Sequence, residues 1–156
     1  VRAGLASVLR AGALVPVLAT VGFRVVMYDN REELAKKENY PMASEVIFGS
    51  FSDISGKVVL TANDYAVVMT PGHQADYEIL SQVLGSDATY IGCIGSRTKV
   101  AKTRERLKCD GYTEEDIARV HAPIGLPILA ETPEEIAISI AAEMIEHRAR
   151  LAGQRH

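Results

Sequence analysis

The chain has 156 residues, of which 47% are hydrophobic and 24% are charged, and its formal net charge is −3 at pH 7. A chain of this length fits one domain that buries roughly two-thirds of the surface exposed on unfolding. The small negative charge argues against a nucleic-acid-binding protein, and the apolar residues 1–20, interrupted by Arg10, suit neither a membrane span nor a secretory signal. The two cysteines, Cys93 and Cys109, make neither a disulfide framework nor a zinc site, so we expect a cytoplasmic protein.

The first predicted elements are a helix and a buried strand. Residues 1–21 are rich in Ala, Leu and Val and predict a helix that ends at Gly22, whereas residues 23–28 (FRVVMY) predict a strand of a parallel sheet. Asp29 follows this strand, where dinucleotide-binding folds hydrogen-bond a ribose, although a turn-forming aspartate is the simpler alternative. The glycine fingerprint G-x-G-x-x-G is absent, so we expect the first strand and the glycine loop of such a fold to be missing or altered.

Three further elements precede the centre of the chain: a strand at residues 45–48, a strand at residues 64–70 and a helix at residues 74–84. The turn between the last two contains Gly72 and His73. His73 and Asp76 are one helical turn apart and predict a hydrogen-bonding pair at a ligand-binding edge; the alternative is that they only cap the helix. The sequence shows no set of residues specific enough to define a catalytic or metal-binding site.

The stretch 88–99 (ATYIGCIGSRTK) predicts a short strand, a turn at Gly95 and a helix capped by Ser96. The first turn of a helix favours acidic residues, yet Lys99 occupies this turn and no acid does. By contrast, the last predicted helix begins with the capping-box pattern of Thr132 and Glu135. We therefore expect an anion such as a phosphate to bind at Ser96; a solvated basic helix face is the alternative.

The remaining predicted elements are a short helix from Thr113, a loop at residues 121–131 and a final helix at residues 132–151. Strands that alternate with helices predict an α/β fold, a Rossmann-like three-layer sandwich with a mainly parallel sheet. Ligands bind such folds at the carboxyl ends of the strands, where the polar turns should converge. The predicted cofactor-binding residues are Asp29, Arg31, Thr70, Gly72, His73, Asp76, Gly92, Gly95, Ser96, Arg97 and Lys99.

Four segments in order carry a family resemblance: TPGHQAD at 70–76, YIGCIGSR at 90–97, APIGL at 122–126 and AETPEEIA at 130–137. Together they resemble the C-terminal Rossmann-type domain of the XdhC family, the xanthine dehydrogenase accessory factors, which has relatives serving carbon monoxide dehydrogenase. Pro16 and residues 23–31 also fit, so the resemblance covers most of the chain from about Leu14 onward. It implies that residues 1–156 form a single XdhC C-terminal-like Rossmann domain.

The resemblance implies a maturation factor rather than an enzyme. Such a chaperone would bind molybdenum cofactor, as molybdopterin or its dinucleotide form. It would assist sulfuration with a cysteine desulfurase-type sulfur donor and deliver the cofactor to the apoenzyme of a xanthine dehydrogenase-type molybdenum hydroxylase. The phosphate of that cofactor agrees with the anion expected at Ser96. The apolar surfaces of the last helix and of residues 1–18 are compatible with a homodimer.

Two segments depart from the family pattern. The family has Gly-Ala-Gly-His after its first strand, where residues 6–9 here are Ala-Ser-Val-Leu, and it has Asp-Ile-Gly where this chain has Pro127-Ile128-Leu129. Two other functions remain open. An NAD(P)-dependent oxidoreductase on the same scaffold is disfavoured by the missing glycine loop. A sulfur carrier that uses Cys93 is disfavoured because the apolar strand around this residue favours a buried cysteine.

Overall fold

The computed structural model of the chain describes the backbone of residues 2–6, 11–70 and 73–154. Its strands are β1 (Arg2–Ala6), β2 (Arg24–Asp29), β3 (Glu45–Phe48), β4 (Asp64–Val68), β5 (Tyr90–Cys93) and β6 (Val120–His121). Neighbouring strands pair in parallel, in the order β3-β2-β1-β4-β5-β6. Dinucleotide-binding Rossmann folds have this strand order: β2 and β3 lie on one side of β1, and β4, β5 and β6 lie on the other. The predicted α/β class with a parallel sheet is confirmed.

Helices cover both faces of the sheet. They are α1 (Ala11–Thr20), α2 (Ile54–Lys57), α3 (His73–Val83), α4 (Arg97–Cys109), α5 (Glu114–Ala118) and α6 (Pro133–Gln154). α1 and α6 pack against each other over one face, whereas α2, α3, α4 and α5 contribute to the core on the other face. Short 3₁₀ turns at Lys37–Asn39 and Phe51–Asp53 lie in the connections on either side of β3. The sheet between two helical layers is the predicted three-layer sandwich.

The first strand is present, which corrects the prediction of a helix over residues 1–21. β1 lies in the middle of the sheet, where Gly4 pairs with Val26 on one side and with Ala66 on the other. A short apolar stretch such as RAGLA fits a strand or a helix equally well from its pattern alone. Hydrogen bonding to two neighbouring strands satisfies its backbone groups and outweighs the local helical preference. Residues 7–10, where the altered glycine loop was expected, lie outside the described residues.

Two apolar cores hold the layers together. On the α1 and α6 face, the fully buried side chains include Leu14, Leu18, Met27, Ile140 and Met144. The opposite core contains Ile79, Leu80, Ile91 and Leu107, which are also almost completely buried. Burial of each such side chain contributes about 1.5–3 kcal/mol relative to exposure. The packing fixes the strands, and therefore fixes the loops that leave their carboxyl ends.

The predicted starts of α4 and α6 are confirmed. The Ser96 hydroxyl accepts a hydrogen bond from the Lys99 backbone N–H at 3.2 Å, so α4 begins as expected. At the start of α6, Thr132 Oγ1 accepts from the Glu135 N–H at 3.1 Å, and Glu135 Oε1 accepts from the Thr132 N–H at 3.0 Å. This reciprocal pair is the predicted capping box.

Candidate functional site

Three polar turns leave the carboxyl edge of the sheet. They follow β2 at Asp29, β4 at Thr70 and β5 at Gly95, as the sequence predicts. Gly72 lies outside the described residues, and for His73 the structure describes only the backbone at the start of α3. The predicted pairing of His73 with Asp76 therefore stays a prediction.

Asp76 connects the turn after β4 to the start of α4. Its side chain is completely buried, and its Oδ1 accepts hydrogen bonds from the Thr70 N–H at 3.1 Å and from the Thr70 hydroxyl at 2.5 Å. Its Oδ2 forms an ion pair with the Lys99 Nζ, which lies 2.6 Å away. Asp76 also lies in the first turn of α3, where the helix dipole favours a carboxylate.

This ion pair corrects the expectation that the chain leaves the start of α4 without a negative partner. Asp76 supplies that charge from α3. No helical or strand spacing joins two residues so far apart in the sequence, so the pair has no signature in the pattern. The Arg97 side chain, in the same first turn of α4, is exposed to solvent. The phosphate expected at Ser96 stays a prediction.

The two predicted site glycines shape the loops around this edge. A Cβ on Gly95 would lie 3.1 Å from the Cδ of Lys99, and the φ of Gly95 is +156°, so a glycine lets Lys99 fold back towards Asp76. A Cβ on Gly92 would lie 2.3 Å from the Cδ1 of Ile124. Gly92 thus allows the loop after β6 to pack directly on β5.

Cys93, at the end of β5, is buried, as the sequence predicts. Its side chain is 5% exposed. Burial and, to a smaller extent, the nearby Asp76 charge raise the pKa of the Cys93 thiol to about 12, although Lys99 acts in the opposite direction. Because the reactive form of cysteine is the thiolate, a thiol protonated at neutral pH argues against a sulfur carrier at this position.

Arg31 forms hydrogen bonds with Asp29 at the end of β2. Asp29 is completely buried, and its Oδ1 accepts from the Arg31 backbone N–H at 3.0 Å and from the Arg31 Nε at 3.2 Å. Its Oδ2 accepts from the Arg31 Nη2 at 3.2 Å. The hydrogen bond to Asp29 raises the pKa of the Arg31 guanidinium, and 34% of the Arg31 side chain is exposed. Both residues are among the predicted site residues, but their contact with each other was not predicted.

A polar cluster under α6 was not predicted. Glu143 Oε1 accepts from the Tyr90 hydroxyl at 2.6 Å and lies 3.4 Å from the His121 Nδ1. Its Oε2 accepts from the Gly125 N–H at 3.1 Å. Glu143 therefore anchors the loop that follows β6, and the Ile124 N–H of this loop donates to the Cys93 carbonyl at the edge of the candidate site. The groups come from β5, the loop and α6, so sequence spacing does not reveal them.

Within the part of the chain that the structure describes, three or more His, Cys, Asp or Glu side chains nowhere come together as they would to hold a metal ion. None of its described helices has the length and apolar character that crossing a membrane requires.

Comparison with known proteins identifies the domain. Residues 7–144 match the family model described as the XdhC Rossmann domain. The chain is 32% identical over 139 residues to a probable xanthine dehydrogenase subunit from Bacillus subtilis (strain 168), and this alignment covers 89% of the chain and 40% of that protein. It is 31% identical over 135 residues to the uncharacterized protein YqeB of Escherichia coli (strain K12), covering 86% of the chain and 25% of that protein.

A solved structure shares the fold. The crystal structure of a xanthine dehydrogenase from Bacillus halodurans matches with a TM-score of 0.83 and 32% sequence identity, over 96% of this chain and 43% of that one. The chain thus spans less than half the length of each of these relatives. The strand order, the match over residues 7–144 and the likeness to these longer proteins agree, and the chain belongs to the XdhC Rossmann domain family.

Proposed function

We propose that the chain is the cofactor-binding domain of an accessory factor for a xanthine dehydrogenase-type molybdenum hydroxylase. The observation that carries this proposal is a pair of cations at the carboxyl edge of an XdhC-family domain. Lys99 and Arg31 are each held there by a buried carboxylate, Asp76 and Asp29 respectively. The names of the Bacillus relatives, which refer to xanthine dehydrogenase, support the same process.

The residues at this edge fit molybdenum cofactor, as molybdopterin or its dinucleotide form. The cofactor carries a phosphate, and the edge offers the backbone N–H groups at the start of α4 together with the exposed Arg97. Arg31 adds a second cation at the end of β2. When bound to the hydroxylase, the cofactor supplies the redox chemistry, so this domain has to hold and release it.

The state of Cys93 supports an external sulfur source. Because burial keeps the Cys93 thiol protonated, sulfuration would draw on a separate cysteine desulfurase-type donor. We propose that the protein acts in the cytoplasm, where it binds the cofactor, assists its sulfuration by that donor and passes it to the apoenzyme. A role in binding and transfer, rather than in turnover, agrees with a site built from structural ion pairs.

A binding titration with molybdenum cofactor tests the proposal, with NAD and NADP titrated in parallel. We expect saturable binding of the molybdenum cofactor. Arg97→Glu should weaken this binding by about tenfold or more, because it removes a charge-assisted contact and adds repulsion. The matched control is Arg150→Glu on α6, which changes charge equally at an exposed residue paired with Glu146.

Absence of cofactor binding by the native chain would contradict the proposal. Equal weakening in the two variants would mean that Arg97 contributes only to the overall charge. A second readout is the activation of purified apo-hydroxylase by the loaded protein, which binding to an unrelated anion site would not produce.

The strand order favours one second candidate, an NAD(P)-dependent oxidoreductase, because dinucleotide-binding folds share it. Saturable binding of NAD or NADP together with no binding of molybdenum cofactor would favour this alternative.

A further inference from the structure

The end of β2 has a different chemistry from the corresponding position of NAD-binding folds. In those folds an acidic side chain at this point accepts hydrogen bonds from the ribose hydroxyls. Here the Asp29 carboxylate is completely buried, and Arg31 donates to both of its oxygens. A carboxylate engaged in this way is poorly placed to receive a ribose diol.

Arg31 is partly exposed at this end of β2, next to the exposed Asn30. About a third of the Arg31 side chain is exposed (34%), while its partner Asp29 is inaccessible. Among the described residues, Asp29, Tyr40 and Glu33 interact electrostatically with its guanidinium. A guanidinium has a planar set of donors that matches the oxygens of a phosphate, often in bidentate geometry.

The contact with Asp29 also fixes the guanidinium in position. Three hydrogen bonds, from the Arg31 backbone N–H, Nε and Nη2, join these two residues. An arginine already ordered by a neighbour loses less side-chain entropy when a ligand binds. Asp29 is thus a positioning residue that aims Arg31 along the carboxyl edge of the sheet.

We propose that Arg31 recognises a phosphomonoester of the ligand, so that this subsite selects phosphorylated ligands over ones that present a free hydroxyl there. This inference rests on the proposed function for the identity of the ligand, because the phosphate of a pterin cofactor would be the group bound. The chemistry is the same for the 2′-phosphate of a nucleotide. The experiment therefore uses both sources.

The test measures dissociation constants for two matched pairs of probes by isothermal titration calorimetry or fluorescence. One pair is adenosine 2′,5′-bisphosphate and adenosine 5′-monophosphate. The other is the oxidised, fluorescent pterin prepared from molybdenum cofactor, with its phosphate and after phosphatase treatment. In whichever pair binds, we expect the probe with the additional phosphate to bind more tightly than its partner by about 10- to 100-fold. This is the range for a hydrogen bond between charged groups.

Two substitutions assign this preference to Arg31. Arg31→Gln removes the charge and should reduce the preference to about threefold or less, whereas Arg31→Lys keeps the charge without the planar donors and should retain an intermediate preference. Asp29→Asn should lower the preference less than Arg31→Gln does, because it loosens the guanidinium without removing it. Thermal unfolding of each variant verifies that it is folded.

The outcomes separate this inference from the proposed function. Preference in the nucleotide pair alone, lost in Arg31→Gln, supports the phosphomonoester subsite while contradicting the molybdenum cofactor proposal. Equal binding of both pterins supports cofactor binding but overturns the subsite. Binding of none of the four probes, or a preference that survives in Arg31→Gln, also overturns it.

Discussion

The N-termini of α4 and α6 are stabilised in two different ways. Both helices begin with a hydroxyl cap, Ser96 in α4 and Thr132 in α6. α6 completes its cap with its own Glu135, three residues along the chain. α4 has no acid in its first turn and instead takes its negative charge from Asp76 on α3. One helix start is therefore self-contained, and the other depends on the tertiary fold.

The loops that lead into these helices differ in a parallel way. The residue before Ser96 is Gly95, which adopts a positive φ of 156° without the steric cost of a side chain. The loop before Thr132 has a positive φ of 61° at Leu129, a side chain that is 92% exposed. Leu129 stands where the family resemblance has a glycine, the residue type that adopts a left-handed conformation without a Cβ penalty. The loop before α6 is strained, and the cap of α6 comes from its own residues. The loop before α4 is unstrained, and the negative charge at the start of α4 comes from Asp76 on α3.

The largest effect should come from Asp76→Ala, which breaks the link between α3 and α4. The substitution removes the acceptor of two bonds from Thr70 and leaves Lys99, only 20% exposed, without its carboxylate. Loss of one partner from a buried pair costs about 3–5 kcal/mol. We expect a decrease of about 3 kcal/mol in the free energy of unfolding, measured with urea.

The matched control for Asp76→Ala is the same substitution combined with Lys99→Met, which removes the stranded cation and should restore part of the stability. A decrease in the free energy of unfolding below about 1 kcal/mol in Asp76→Ala would mean that this pair contributes no more than an ordinary surface ion pair. The start of α4 would then not depend on α3.

The caps themselves should be of similar strength. Ser96→Ala and Thr132→Ala should each reduce the free energy of unfolding by about 1 kcal/mol, because each removes an acceptor for a backbone N–H of the first turn. Urea denaturation of both variants measures this, with Ser96→Thr and Thr132→Ser as controls that keep the hydroxyl. If Ser96→Ala were neutral, the α4 start would be stabilised by Asp76 alone.

Leu129→Gly should stabilise the protein slightly. A left-handed conformation costs a side-chain-bearing residue about 1–2 kcal/mol, and the greater freedom of glycine in the unfolded chain offsets about 0.5–1 kcal/mol of the gain. We expect a small rise in melting temperature, measured by differential scanning calorimetry. Leu129→Ala is the control, because it removes the exposed apolar side chain but keeps the strain. A rise of equal size in the control would assign the effect to exposure rather than to the backbone.

The smallest effect is a pH dependence confined to the start of α6. Hydrogen bonds from the Thr132 and Glu131 N–H groups lower the pKa of Glu135 from its ordinary value of 4.5. A carboxylate with a lowered pKa in the folded state contributes stability that is present above the unfolded pKa, near 4.5, and is lost as the pH falls through the folded pKa.

NMR titration of the Glu135 carboxyl should therefore give a midpoint below 4.5, and Glu135→Gln should abolish this part of the acid dependence. Glu134→Gln, an exposed neighbour in the same turn, is the control. A midpoint for Glu135 at or above its ordinary value would contradict the capping box.

Much of the fold could be predicted because its signals are local. Apolar stretches such as residues 23–28 and 64–70 predicted strands, and β2 and β4 lie largely within them. The caps of α4 and α6 were predicted from neighbouring residues, since a cap bond spans three residues of chain. β1 was missed because Arg2–Ala6 carries no periodic signal, and its place in the sheet depends on pairing with β2 and β4.

In the candidate site, too, the local features could be predicted and the contacts between distant residues could not. The sequence by itself determined which residues stand at the strand ends, including Asp29, Thr70 and Ser96, because the order of strands and turns is written in the chain. Tertiary structure decided the pairs that join distant parts of the chain: Asp76 contacts Lys99, and Glu143 contacts Tyr90. A buried carboxylate must be paired, and only the packed fold determines which cation or hydroxyl is within reach.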